Sequence, residues 1–238
     1  MQGQTSIVVN SLLDGTQTEI DTWAGQGTIT LRYAVQSATD NVSNTITFSP
    51  TIANGTITLS GGQIPYLHAD KILIIDGGAG NITIDGGNAS RIFLFGVNNE
   101  TNNDPFSTIT VRNLSLKNGN SSATTAGDSG GGAIRNFSKL TVENCVFENN
   151  RASSSVNDNY IYGGAIFTGK IPPTGWGKNL GLHVKSSIFR NNSINGRGGA
   201  IGASDSWVVD ILVENSVFIE NSAVGNVYGG AIYSEWGS

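Results

Sequence analysis

The chain is predicted to be all-β: a parallel β-helix, or solenoid, in which each coil stacks on the one before it. Three observations predict this. The segment Leu-Thr-Val-Glu-Asn-Cys-Val-Phe-Glu-Asn-Asn at 140–150 returns in variant form at 182–192 and 211–221, with a degenerate copy at 110–118. A tetrapeptide, Gly-Gly-Ala-Ile, alternates with it at 131–134, 163–166, 198–201 and 229–232, a period of 31 to 35 residues. Finally, Val142 and Phe147 stand five apart, as do Val184 and Phe189, and Val213 and Phe218. Self-similarity at such a period denotes a repeat array. In one straight strand an odd separation would send two side chains to opposite faces. Both positions stay large and apolar, so the chain must turn a corner near Asn144, Ser186 and Asn215. A helical repeat would need apolar residues at three- and four-residue steps, and these segments lack them.

Stacked coils place like on like. Phe147, Phe189 and Phe218 are expected to form an inner ladder, with Cys145, Ser187 and Ser216 beside them. Asn150, Asn192 and Asn221 are expected to form a polar ladder whose amides bond above and below. Val146, Ile188 and Val217 each precede an inward Phe by one residue and should form an outward apolar stripe. Such a stripe either simply suits a strand or marks a contact surface for a partner. The paired glycines give the backbone freedom to turn into the next strand.

Taken in order, residues 5–9 are a short β-rich run that ends in a turn-like stretch at 10–15. Leu31, Ala34, Val35 and Ala38 fall at i, i+3, i+4 and i+7 with Thr30 placed to cap, which predicts an amphipathic helix. A solenoid must cover the backbone edge and apolar core of its first coil, so residues 1–44 are read as an N-terminal cap and 45–238 as the coils. Strands are expected at 45–48, 56–59, 71–75, 81–84, 92–95 and 108–111. Asp76-Gly77-Gly78 and Asp85-Gly86-Gly87 are turn signatures between them. Polar loops are expected to leave the coil at 98–105, 118–128, 152–159 and 170–178. In the last of these, Trp176 either packs back on the coil or presents a binding surface. The final Gly-Gly-Ala-Ile precedes no further Phe-x-x-Asn strand, so the chain reads as part of a longer array. Its last coil is expected to favour end-to-end association with another copy.

The alternation of Gly-Gly-Ala-Ile with Phe-x-x-Asn, at 147–150, 189–192 and 218–221, resembles the repeats of the polymorphic outer membrane proteins, a family of bacterial autotransporter adhesins. The stretches at 27–35, 44–48 and 85–93 resemble the start of a wider group of secreted bacterial right-handed β-helix proteins. The resemblance implies a right-handed coil, in line with the general chirality of parallel crossovers. It also implies an extracellular or cell-surface location, and adhesion or scaffolding rather than catalysis.

Composition narrows the classes. Charged residues are 13% of the chain, about half the usual ~25%, while Gly at 32 of 238 is near twice the usual ~7%. The 26 Asn are twice the 13 Lys and Arg, so amides and hydroxyls carry solubility. A net charge of -5 argues against a nucleic-acid surface, and no apolar run reaches the ~18 residues of a membrane span. Met1 leads into Gln-Gly-Gln rather than a basic and apolar leader, so export would need a signal outside these residues. The single cysteine, Cys145, reads as a small core residue.

A parallel β-helix can carry a polysaccharide lyase or hydrolase, which is the competing reading. Such enzymes need converging carboxylates, or a calcium site with a basic residue, on one face. Asp76 and Asp85 lie in turns, and Asp104, Asp128 and Asp158 in loops. Glu143 and Glu214 share an outward register with Lys185 between them, which reads as surface charge pairing. The stretch 77–81 resembles a glycine-rich calcium repeat, but Ile82 stands where that motif requires Asp. His183 faces outward and His68 lies in an irregular stretch. No cofactor and no metal are therefore expected. The binding candidates are Val146, Ile188, Val217 and Trp176, facing a host or environmental surface protein or a glycan.

Overall fold

Four parallel sheets form the body of the chain; the coils from Thr108 onward visit all four in turn, and the described coils before them have no strand in the third. A computed structural model describes residues 4–38, 43–68, 70–96, 107–123, 130–154, 161–169, 180–204, 209–225 and 228–235. The first sheet has seven strands: Gln4–Val9, Ser43–Phe48, Ile72–Asp76, Thr108–Arg112, Lys139–Glu143, Leu180–Lys185 and Val209–Glu214. The second has six: Thr56–Thr58, Ile82–Asp85, Leu114–Lys117, Val146–Glu148, Ile188–Arg190 and Val217–Ile219. The third has four short strands, Asn120–Ala123, Arg151–Ser154, Ser193–Ile194 and Ser222–Ala223. The fourth has six: Ile64–Tyr66, Phe93–Phe95, Ile134–Asn136, Ile166–Thr168, Ile201–Ala203 and Ile232–Ser234. Neighbours in every sheet are one coil apart and parallel, so this is a parallel β-helix.

The expected corner is present, and its residues explain the five-residue step. Asn113, Asn144, Ser186 and Asn215 have φ of 57°, 51°, 46° and 49°, between the first and second sheets. Asn118, Asn149, Asn191 and Glu220 repeat the left-handed conformation at the next corner, with φ of 52°, 56°, 55° and 52°. Asn tolerates this region better than most residues because its short amide bonds locally, which is why Asn fills six of these eight corners. Gly-Gly-Ala-Ile has a similar cause. Gly131, Gly163, Gly198 and Gly229 all have positive φ, and a Cβ there would collide with the carbonyl oxygen of the Ile three residues on.

The ladders follow. Phe147 pairs in register with Phe189, and Phe189 with Phe218. Their rings stack at 4.6 and 4.9 Å, nearly parallel at 1° and 7°. Asn192 Oδ1 accepts from both the backbone N–H (3.0 Å) and Nδ2 (2.9 Å) of Asn150, and Asn221 Oδ1 does the same for Asn192. Each amide also donates to a main-chain carbonyl of the preceding coil: Asn150 to Leu116, Asn192 to Phe147, Asn221 to Phe189. Cys145 and Ser187 stack beside the rings, with the Cys145 N–H donating to Ser187 Oγ and the Ser187 N–H to Ser216 Oγ. A buried polar ladder is stable only when every member is satisfied, and this one is bonded at each rung.

The predicted helix is α2, Leu31–Ser37. Thr30 Oγ1 caps it by accepting from the Tyr33 N–H, and Leu31, Ala34, Val35 and Ala38 are fully buried across the first coils. Three features depart from expectation. Residues 17–25 form a further helix, α1 (Gln17–Gly25), whose N-cap Thr16 N–H donates to Glu19 Oε2 at 2.8 Å. Gln4–Val9 pairs in register with Ser43–Phe48, so it is a rung of the first sheet rather than only a lead-in to the cap. Asn120–Ala123 and Arg151–Ser154, expected as parts of polar loops, are instead strands of the third sheet. The expected loops at 98–105 and 170–178, and with the latter Trp176, lie outside the described residues.

Candidate functional site

Two outward faces are candidates for contact. The first is the second sheet. Its leading outward column runs Thr56, Thr83, Ser115, Val146, Ile188, Val217 in unbroken register. The column changes from hydroxyl to apolar along the axis. Val146 is half-buried, Ile188 is 37% exposed and Val217 49%. The structure thus brings the three candidate residues into one stripe. Beside it, an open groove of about 220 Å³ is lined by Asn81, Asn113, Asn144, Ser115, Val146 and Gly78. The corner amides along it are linked: Asn81 donates to Asn54, Asn144 to Asn113, and Asn113 to Asp76.

Charge is organised in two columns of alternating sign. Asp76, Arg112, Glu143, Lys185 and Glu214 are aligned on the first sheet, and Asp85, Lys117, Glu148 and Arg190 on the second. Arg112 bonds Asp76 at 2.8 Å. Glu148 is held between Lys117 and Arg190, each at 2.8 Å, and the bond from Lys117 above all keeps its carboxyl below the usual range. The expected Glu143–Lys185–Glu214 alignment is present, but the Glu214 carboxylate pairs diagonally with His183 on the strand that carries Lys185. His183 therefore faces outward with an acidic partner. Cys145 is buried, and that burial pushes its thiol up to about 12, so it holds its proton and packs as a core residue. Among the described residues no three His, Cys, Asp or Glu side chains converge as a metal would need. No helix among them is long and apolar enough to cross a membrane.

The second face is the outer side of the fourth sheet, and sequence reasoning missed it. The residues that flank Gly-Gly-Ala-Ile line up there from coil to coil: Gly130 and Arg135, Tyr162 and Phe167, Arg197 and Gly202, Tyr228 and Tyr233. They assemble into one stack along the axis. The Arg135 guanidinium lies 3.6 Å over the Phe167 ring and 4.7 Å over Phe137. Tyr162 packs on Phe167 at 5.2 Å and crosses over Gly202, whose missing side chain leaves it room. Tyr233 stacks on Tyr162 at 5.8 Å, and Tyr228 lies tilted by 37° against Tyr233 at 6.0 Å. Arg135, Phe167 and Tyr162 are buried, whereas Tyr228 is 60% exposed and Tyr233 half-buried. Arg197 lies among the three tyrosines, 5.3 to 5.8 Å from their ring centres, and donates through Nη1 to Glu235 Oε1 (2.8 Å) and Tyr233 Oη (3.2 Å). The Tyr162 hydroxyl donates to Glu235 Oε2. Burial, and then the Glu235 carboxylate, pushes the Tyr162 phenol upward; burial also raises Tyr233. A signal existed in the sequence: an aromatic or arginine on one or both sides of each Gly-Gly-Ala-Ile after the first coil.

No family model, curated protein or solved structure matches the chain. Fold and faces together define its class, an elongated parallel β-helix with laddered outer columns.

Proposed function

We propose that the chain is a non-catalytic β-helix segment of an extracellular bacterial surface protein, acting in adhesion or as a surface scaffold. The observation that carries this reading is the outward column Val146–Ile188–Val217, an apolar stripe aligned over three coils and increasingly exposed along the axis. Contiguous exposed apolar area on a soluble face marks contact surfaces. The repeat resemblance to autotransporter adhesins agrees with it. The competing reading is a polysaccharide lyase or hydrolase on the same fold. Its chemistry asks for carboxylates poised in a cleft with separated proton affinities. Here Asp76 and Glu148 on the open faces are tied to a cation in the adjacent coil, which suits pairing between rungs better than acid–base work.

Beads coated with the chain, washed over immobilised extracellular proteins and glycans, test the reading. Wild type should be retained on at least one surface, and Ile188→Asp with Val217→Asp should reduce that retention roughly tenfold, as loss of a contact anchor does. Release of reducing ends from a polysaccharide by wild type would instead establish the enzyme.

A further inference from the structure

We infer that Asn54 and Asn191 are acceptor sites for an N-linked glycan, taken from a glycosyl donor activated as a diphosphate. The inference rests on the proposed surface location only in that the chain meets such a transferase on its way there.

Nine asparagines stand in the pattern Asn-x-Ser/Thr with x other than Pro, the acceptor pattern for N-glycosylation. Asn41 and Asn99 lie outside the described residues; the other seven are Asn54, Asn81, Asn88, Asn113, Asn120, Asn136 and Asn191. In a chain this rich in Asn, Ser and Thr the pattern alone is common, so geometry has to separate the sites. Transfer needs a carboxamide nitrogen that is exposed and free to turn towards a donor. It also needs an unengaged hydroxyl two residues on, to bond and orient that carboxamide.

Five of the seven fail. Asn136 is wholly buried, and its Nδ2 donates to the Ser138 carbonyl and to Thr168 Oγ1, both at 2.9 Å. Asn120 Nδ2 donates to the Asn88 carbonyl, Asn113 Nδ2 to Asp76 and Asn81 Nδ2 to Asn54, each across to the adjacent coil. At Asn88 the hydroxyl is the missing part, because Ser90 Oγ donates to the Arg91 carbonyl.

Asn54 and Asn191 pass. Both are exposed, and Nδ2 of neither bonds a described residue. Both sit at left-handed corners, with φ of 59° and 55°, just before a strand begins. Side chains two apart in a strand share a face. Thr56 is accordingly exposed with Asn54, while Asn192 turns into the buried amide ladder and leaves Ser193 half-buried beside Asn191. Neither the Thr56 nor the Ser193 hydroxyl bonds a described residue.

In the transfer, Nδ2 forms a bond to the anomeric carbon of the donor as the bond from that carbon to the phosphate oxygen breaks. The diphosphate leaves with the electron pair, and the amide proton passes to a base on the transferase. An amide nitrogen shares its lone pair with the carbonyl, so it reacts only where it can be held in place.

The same pattern accounts for the change along the second sheet. Thr56, Thr83 and Ser115 supply the hydroxyl of three successive motifs in register; Val146, Ile188 and Val217 then take that position and the motif is gone. Asn54 therefore belongs to a different stretch of the column from the apolar stripe. It lies three coils before Val146, about 14 Å at ~4.8 Å per coil. With only 13% charged residues, the chain gains from a bulky hydrated group that keeps an apolar stripe in solution.

Peptide mapping by mass spectrometry, on the chain recovered from the cells that make it, tests the inference. Asn54 and Asn191 should carry glycan adducts, and Asn81, Asn88, Asn113, Asn120 and Asn136 none. Adducts of single sugars would identify a nucleotide-linked donor, and one oligosaccharide block of fixed mass a lipid-linked donor. Thr56→Val leaves the corner residue in place and should keep the wild-type circular dichroism. It should abolish the adduct at Asn54 and spare the one at Asn191, whereas Thr56→Ser should retain both. Ser193→Ala should do the reverse of Thr56→Val. The proposal is overturned by a bare Asn54 or Asn191 in the recovered chain, by adducts on the buried Asn136, or by Thr56→Val still modified at Asn54. Retention on immobilised surfaces is measured with unmodified chain, so failure of the glycan sites and failure of the contact stripe are told apart.

Discussion

At one end of the coil stack, Leu31, Ala34 and Val35 of α2 and its C-cap Ala38 lie fully buried across the core, and Phe147 and Phe189 further along are equally hidden. At the other, Ile211, Val213 and Phe218 occupy the same inward positions of the last described coil yet are only partly buried, and Ile232 is 37% exposed. The residue types hardly differ; the neighbours do. In a solenoid an inward side chain is covered half by the coil before and half by the coil after, so burial belongs to adjacent pairs rather than to a coil. The cap covers its end of the core by other means. It is fastened by Arg32, which bonds Asp14 (2.7 and 2.8 Å) and the carbonyls of Gly62 and Gln63, while Asp14 also accepts from the Ser60 and Gly61 N–H groups.

The largest expected effect strikes that fastening. Asp14→Ala leaves the Arg32 charge in a site where the two side chains are 5% and 1% exposed, and removes the acceptor of two N–H groups. Unfolding in denaturant should show a loss of about 3–5 kcal/mol; a loss under about 1 kcal/mol would mean the cap is held by apolar packing alone. Burial works to raise the Asp14 carboxyl, but the Arg32 bond and the two N–H donors outweigh it and hold it below 3.8. A depressed folded value gives stability that is complete above the unfolded value of ~3.9 and is lost as pH falls through the folded one. The gap between wild type and Asp14→Ala should therefore be full at neutral pH and narrow below about pH 4.

Next in size is the same truncation made in two coils. Phe147→Ala removes a ring stacked between neighbours on both sides and should cost about 3 kcal/mol, whereas Phe218→Ala, half covered, should cost about half as much. Equal losses would refute the pairwise picture. Smallest is Glu148→Gln, which removes the charge shared by Lys117 and Arg190 on an open face. It should cost under about 1 kcal/mol, and the difference should fade as salt is raised.

What could be read in the sequence was whatever repeats with a fixed residue type. The Phe and Asn ladders, the corner between Val142 and Phe147 and the capping face of α2 all rest on such positions. The third sheet was hidden because its strands are two to four residues long and polar, with small inward residues such as Ser121 and Ala152. Helix α1 buries only Ile20, so its periodicity is faint; Thr16 and Glu19, spaced as a capping box, were its one clear sign. The aromatic–arginine stack escaped because it conserves a direction rather than a residue: Arg135, Phe167, Gly202 and Tyr233 share one register position with four different chemistries.

The left-handed corners are five residues apart in each of four coils: 113 and 118, 144 and 149, 186 and 191, 215 and 220. Coil length varies elsewhere. Between a fourth-sheet strand and the next first-sheet strand there are two residues after Asn136, eleven after Thr168 and five after Ala203. The stretch from the third sheet to the next Gly-Gly varies as well, and both junctions border the fourth sheet. Closing a longer loop costs only slowly more entropy, so each coil has two ports where sequence can be inserted without disturbing a ladder. The molecule is in this sense a ruler with sockets along one edge, and new recognition segments can be plugged in beside the tyrosines while the graduations stay fixed.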